Sequence, residues 1–271
     1  MLTSPNDTIL ADVTGDVCTL TFNRPDALNA LNDDLVAALN AVIQQIGDAP
    51  DVRCVVLGGA GDHFMAGGDI KTFHDTLESE PDRTARRHYF EGLLEGVHIG
   101  IAAMRGLPQP IIGKVRGAAA GAGVSVMLAC DLVIASEDAF FTLAYCHLGV
   151  SPDGGSTFQL PRATGMKRAM EIALLGDRFD AATAERWGLI NKVVAADALD
   201  DEVAALAGRL AAGPARAYAH TKALMNQSFE NALRQQLDAE ARGFADCTTT
   251  DDFAEGVSAF VAKRKPDFRG T

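Results

Sequence analysis

Cysteine is scarce and unpaired in this 271-residue chain. Cys18, Cys54, Cys130, Cys146 and Cys247 are scattered, odd in number and without a CxxC spacing. Four lie in apolar runs, which suits reduced core thiols in a cytoplasmic protein rather than a disulfide framework. Positive charge is also short: the formal net charge is −12. A phosphate backbone needs a basic face, so a nucleic-acid partner is excluded, while a small phosphorylated ligand held by a few local Lys and Arg is not. No basic segment leads into an apolar one near the start, so no signal peptide is expected. The longest uncharged run of small and apolar residues, Gly117–Cys130, falls short of the about 20 residues that span a bilayer, and no membrane partner is expected. Both nucleotide-loop spacings are missing from the glycine-rich turns, no GxSxG surrounds Ser125, and no His/Asp/Glu spacing suggests a metal site.

What is present is an ordinary globular composition, 48% hydrophobic and 22% charged, in a chain long enough for a large core. The chain is organised around Ile111–Ser136. Ile111–Val115 is short and β-branched, as a buried strand is, and Val124–Cys130 reads as a helix before a second apolar run, Leu132–Ala135. Between them Gly117–Gly123 has almost no side chain. Such a turn lets the backbone approach a ligand and aims helix-start N–H groups at a negative oxygen. It equally lets a helix pack tightly on a sheet, and both readings stand on this stretch alone.

Elsewhere Val17–Phe22 and Arg53–Leu57 read as strands. A helix capped by Asn32 or Asp33 lies between them and runs to about Ile46, with Leu35, Leu39, Val42 and Ile46 on one face. This alternation predicts an α/β protein with parallel strands. Residues 1–8 are expected to fray, and charged Leu77–Arg87, with Pro81, to form a mobile surface segment. Tyr89–Met104 predicts an amphipathic helix, Phe140–Leu143 and Ile190–Val194 short strands, and Ser156 a helix start. Residues 1–196 are read as a core, and 197–271, strand-free and Ala-rich with a break at Gly213-Pro214, as a helical subdomain.

Six patterns occur in register along nearly the whole chain. They are Arg24-Pro25 with Leu28-Asn29-Ala30-Leu31; Phe64 to Ile70; Gly117 to Gly123 with Cys130-Asp131; Ser151 to Gly155 with Leu160-Pro161-Arg162; Trp187 to Asn191; and Glu255-Gly256 with Phe260, Lys263-Arg264 and Pro266. Together they resemble the enoyl-CoA hydratase/isomerase, or crotonase, family. The resemblance implies a ClpP/crotonase-like spiral of β-β-α units with a C-terminal helical subdomain that builds trimers or hexamers. It implies an acyl-CoA thioester substrate, with coenzyme A part of the substrate and no permanently bound cofactor. It also places an oxyanion hole at the N–H groups of Gly68 and Ala122. Two such donors hold the charge that develops on a thioester oxygen when the α-proton leaves. By position Ala66, Asp69 and Ile70 meet the adenine through their backbone, Ala27 and Leu28 line the same region, and Arg24 and Lys71 are phosphate partners. Phe260 and Lys263 reach a neighbouring subunit's coenzyme A. For each cation the alternative is a solvated surface charge.

Hydratases of the family hold a water between two glutamates. The resemblance maps those positions onto Ser125, two residues past Gly121-Ala122-Gly123, and Tyr145, eight residues before Asp153. Hydration needs one group to deprotonate water and another to protonate carbon, and Ser and Tyr suit neither task. Asp153 resembles the acid of the family's isomerases, of the Δ3,Δ2-enoyl-CoA and ring-opening phenylacetyl-CoA types. A helix N-cap is its structural alternative. His147 is a candidate to orient Asp153, His63 a turn residue, and Tyr145, Ser125, His88, Tyr89 and Phe90 candidate pocket residues. An isomerase with Asp153 as acid and base is therefore expected. The alternatives are a hydratase, an aromatic acyl-CoA dehalogenase with Asp153 as nucleophile, and a thioester binder without activity.

Overall fold

The chain opens with a hairpin that its sequence does not announce: β1 (Ile9–Thr14) runs antiparallel to β2 (Val17–Phe22) across a turn at Gly15. The architecture is that of a computed structural model, which describes residues 2–271. Thr3 bonds Gln45 through both its N–H and its carbonyl, so the start of the chain is tied down rather than frayed. Asn32 then caps α1 (Asp33–Gly47) by accepting from the Leu35 N–H at 3.1 Å. Leu35, Leu39, Val42, Ile43 and Ile46 are buried on one face of this helix. Each such aliphatic side chain contributes about 1.5–3 kcal/mol on burial.

β3 (Cys54–Gly59) pairs parallel with β2 and leads to the first glycine turn. Leu77–Arg87, expected to be mobile, is mostly helical: α2 (Ile70–Ser79) and α3 (Arg83–Gly106) leave only three residues between them. Pro81 stops one helix, but Asp82 caps the next by accepting from the Ala85 N–H at 2.7 Å, so the interruption is a corner. Apart from Glu80 and Asp82 at the corner, the charges of this stretch lie on helices.

The central stretch holds an extra element. Between β4 (Ile111–Val115) and α4 (Ala122–Ala129), Ala118–Ala120 forms a strand, β5, rather than a turn. Its small side chains let it slot into a second sheet, beside β7 (Phe140–Thr142), which follows β6 (Leu132–Ser136). Met65 bridges Ala119, and Leu31 bridges Gly68, both in parallel sense. Each turn of the chain thus passes through one sheet, then the other, then a helix. This is the spiral of β-β-α units that the family resemblance implies.

The remainder comprises α5 (Ser156–Thr164), α6 (Met166–Leu175), β8 (Phe179–Asp180), α7 (Ala181–Arg186) and β9 (Lys192–Val194). The large sheet runs β1-β2-β3-β4-β6-β9 and is parallel except for β1; the small one runs β5-β7-β8. Four helices end the chain: α8 (Leu199–Ala211), α9 (Ala215–Gln227), α10 (Leu233–Cys247) and α11 (Asp251–Val261). α8 covers one face of the large sheet, with Leu199, Val203 and Ala207 buried on Cys54, Val56, Ile112 and Ile134. Cys18, Cys54 and Cys130 are buried, all five thiols are free, and burial pushes Cys18 and Cys54 up to about 12. Among the described residues no helix is long and apolar enough to cross a membrane.

Candidate active site

Two glycine turns meet at the seam between the sheets. The Met65 N–H donates to the Ala118 carbonyl at 3.0 Å, and the Ala120 N–H returns to Met65 at 2.9 Å. Gly67, at φ +96°, lies so near the second turn that a Cβ there would stand 3.1 Å from the Ala120 carbonyl oxygen and 3.6 Å from the Ala122 nitrogen. Among the described residues the N–H groups of Gly67, Gly68, Ala122 and Gly123 donate to no acceptor in the chain. Ala122 and Gly123 open α4, where unpaired N–H groups and the helix dipole favour negative charge. The geometry therefore offers four free donors at one seam, and Gly68 and Ala122 are among them.

The acid arrives from the far end of the second sheet. The Gly121 N–H donates to Thr142 at the end of β7 at 2.9 Å, which sets the following residues beside the same turn. Ala144 adopts a left-handed conformation, φ 51°, and leads into a short 3-10 turn, Tyr145–Leu148. The Tyr145 hydroxyl donates to Asp153 Oδ1. Burial first, and then the adjacent Asp153 carboxylate, push this phenol far above its usual range, so it stays a neutral donor. The main chain of Asp153 is held too: its carbonyl accepts from Ser125 Oγ and from Ser156 Oγ, each at 2.9 Å. Gly154, at φ +60°, makes this possible, because a Cβ there would meet Ser125 Cβ at 2.7 Å. The helix that follows takes Gly155 as its N-cap with no side-chain bond, so the Asp153 carboxylate is not spent on capping.

Other expected residues fall differently. His147 is exposed and its Nε2 lies 3.2 Å from the Gly176 carbonyl, so it does not orient Asp153; Tyr145 holds that place. His147 and Tyr145 share one 3-10 turn but bond different partners, Gly176 and Asp153, which closeness in sequence does not reveal. Tyr89 is committed to Asp33 of α1 at 3.2 Å, with its ring on Phe90, and its hydroxyl does not serve the seam. Phe90 does approach it, edge-on to Phe73 at 5.0 Å, and Phe73 presses its ring against Gly68. Phe73 has no signal in the sequence beyond its position in α2. Val97 and Ile101 of α3 face Gly154 and Gly155. His88 is exposed, and His63 is a turn residue whose Nδ1 accepts from the Ala118 N–H at 3.1 Å.

Arg24 is already paired: it donates to Asp69 Oδ2 at 2.8 Å and to the Ala30 carbonyl. Asp69 also caps α2 through the Lys71 and Thr72 N–H groups. Burial works to raise its carboxyl, but Arg24 and these N–H groups together hold it below the usual range. Ala66 donates to the Leu28 carbonyl at 3.0 Å, which joins the segments expected to line the adenine; Ala27 lies in a 3-10 turn, and Leu28, Ile70 and Lys71 are exposed. Buried Asn29 fastens this corner, donating to the Ala60 and His63 carbonyls. Phe260, 86% exposed, lines an apolar groove of about 430 Å³ with Phe253, Val257 and Phe268, and Lys263 is exposed beside it. That groove shares no residue with the Asp153 cluster. Trp187 packs on Phe179 at 4.9 Å with Arg168 over its ring, apart from that cluster.

Residues 12–271 match the family model described as enoyl-CoA hydratase/isomerase. The chain belongs to the enoyl-CoA hydratase/isomerase family. It is 39% identical to the 1,2-epoxyphenylacetyl-CoA isomerase of Escherichia coli K12, over 97% of this chain and 98% of that protein. It is 36% identical to a probable enoyl-CoA hydratase of Rhodobacter capsulatus, over the same shares. The crystal structure of an enoyl-CoA hydratase from Polaromonas sp. JS666 superimposes with a TM-score of 0.90 at 35% identity, covering 96% of this chain and 99% of that one. The crotonase fold is thereby shared, and the named relatives of the family include both isomerases and hydratases.

Proposed function

We propose that this member of the family is an acyl-CoA isomerase, which shifts a C=C bond of an enoyl thioester through an enolate. One observation carries the reading: the Asp153 carboxylate stands free of helix capping, and the three side chains that bond Asp153, those of Ser125, Tyr145 and Ser156, are not acids. A single carboxylate suffices for an allylic shift. Asp153 takes the proton from C2 of a 3-enoyl thioester, the electron pair moves to make a dienolate, and the same proton returns at C4. The N–H groups of Gly68 and Ala122 hold the charge on the thioester oxygen between the two steps; loss of one such donor typically costs about 3–4 kcal/mol. Hydration would need a second acid or base to handle water. The coenzyme A part of the substrate lies along Ala66, Asp69 and Ile70 by family position, with exposed Lys71 a phosphate partner. The same reading has the chain working as a homotrimer or a pair of trimers.

The test is a proton-exchange assay. The protein is incubated in D₂O with a 3-enoyl-CoA and followed by NMR, wild type beside Asp153→Asn. Wild type is expected to form 2-enoyl product with at most partial uptake of solvent deuterium, because the C2 proton is carried to C4, and the variant to lose at least about 100-fold in rate while binding the thioester as before. Equal rates in both proteins, or a 3-hydroxyacyl product, sink the reading. A ring-bearing acyl group is the second substrate to try, favoured by the Phe73–Phe90 pair at Gly68 and by the name of the Escherichia coli relative.

A further inference from the structure

Tyr145 and Ser125 do more than fill positions where an acid is missing. Tyr145 donates to one oxygen of the Asp153 carboxylate, and among the described residues the other oxygen, Oδ2, has no partner. Ser125 and Ser156 both grip the Asp153 main-chain carbonyl at 2.9 Å. The residue is thus fixed at three points, two on its backbone and one on its side chain. The surrounding backbone is shaped for this: Gly154 yields to Ser125, and Ala144 accepts a left-handed conformation immediately before Tyr145. Left-handed backbone is strained for a non-glycine residue, and sites that keep such strain tend to be ones where a side chain must point one way.

We infer that Ser125 and Tyr145 are positioning residues that clamp Asp153 in a single conformation, leaving Oδ2 as the one oxygen that carries the proton. This rests on the reading of Asp153 as acid and base. A carboxylate free to rotate would present either oxygen, and its captured proton would be lost to solvent before it reached C4. A carboxylate with Oδ1 occupied keeps the proton on Oδ2, facing the dienolate. The clamp therefore governs how faithfully the proton moves between carbons, and not only how fast it moves.

The experiment uses the full-length protein in two assays. In the first, the three tyrosines are replaced biosynthetically by 3-fluorotyrosine, and the Tyr145 fluorine resonance is assigned from its loss in Tyr145→Phe. In Asp153→Asn that resonance should shift, and the Tyr145 phenol should ionise at lower pH than in wild type. In the second, Tyr145→Phe and Ser125→Ala are assayed with a C2-deuterated 3-enoyl-CoA in H₂O. A displaced base costs on the order of 10- to 100-fold in kcat; the expected KM stays within about twofold, and the share of label reaching C4 falls. A merely structural role would leave that share unchanged. A Tyr145 resonance indifferent to Asp153→Asn overturns the clamp whatever the activity. So does a Tyr145→Phe enzyme with wild-type kcat and label transfer when Asp153→Asn is dead. If wild type itself does not isomerise, the reading of Asp153 as base falls, and the fluorine resonance still decides whether Tyr145 holds it.

Discussion

Ala144 shows how the site places a side chain by straining the residue before it. At φ 51° and ψ −4° its Cβ is crowded by the following carbonyl, and glycine would sit there with less strain. Ala144→Gly is therefore expected to stabilise the fold by about 0.5–1 kcal/mol, the strain relieved less the extra entropy of an unfolded glycine. The same change frees the hinge that aims Tyr145, so kcat should fall while Tm rises. Urea unfolding and steady-state kinetics on one preparation check both halves, and a variant that is stabilised with full activity would separate the strain from the aiming. At this scale the sequence was legible where chemistry and motif coincide. Asp153, Ser125 and Tyr145 were within reach, because the family resemblance pointed to all three and the structure brings them into one hydrogen-bonded cluster. The failure of His147 was not, since orientation within a 3-10 turn depends on which way the turn winds. The Arg24 pair was out of reach for another reason: a cation's acceptor is a matter of three dimensions, and Asp69 lies far along the chain.

Among elements, the link between α9 and α3 bears on the site most. Lys222 of α9 is buried and ion-paired with Asp131 at 2.7 Å, and it also donates to the carbonyls of Met104 and Gln109. Burial lowers its ammonium from the usual range, and the Asp131 carboxylate opposes that. Met104 is in the last turn of α3, the helix that presents Val97 and Ile101 to the Asp153 turn. Lys222→Met strands a partly buried carboxylate and two carbonyls, so a loss of about 3 kcal/mol is expected, read as a lower urea midpoint with unchanged slope. Such a loss should come with a changed preference among acyl chain lengths, because the end of α3 is released. The helices themselves could be read from periodicity and caps. Strand β1 could not, since one flank of it is exposed and its apolar pattern is weak. Nor could β5, because three alanines carry no strand signal and form one only where a second sheet waits for them.

The whole molecule leaves much apolar surface uncovered. Phe260, Val261, Leu233 and Phe244 on the last two helices are each more than 70% exposed, as are lesser fractions of Met225 and Phe229 at the end of α9 and the turn beyond it. A lone soluble chain rarely shows patches of that kind. Light scattering behind size exclusion is expected to give three or six copies, and Phe244→Asp with Phe260→Asp to give monomers. A wild-type monomer at micromolar concentration would refute the assembly. The last strand, β9, ends at Val194, and from Leu199 on the chain is helical. That α8 lies on the large sheet was not legible, because its sheet-facing Leu199, Val203 and Ala207 follow the same helical spacing as a free amphipathic helix would.

The groups at the seam of the two sheets belong to the main chain. A side chain can be deleted by changing one codon, whereas a peptide N–H can only be moved. In a site built this way, the unpaired N–H groups that favour negative charge are inherited with the fold, while Ser125, Tyr145 and Asp153 project from it and can each be exchanged. New chemistry can then arise by swapping three side chains over an unchanged floor of N–H groups, and on the isomerase reading proposed above, acids at residues 125 and 145 would be the shortest route to a site that adds water.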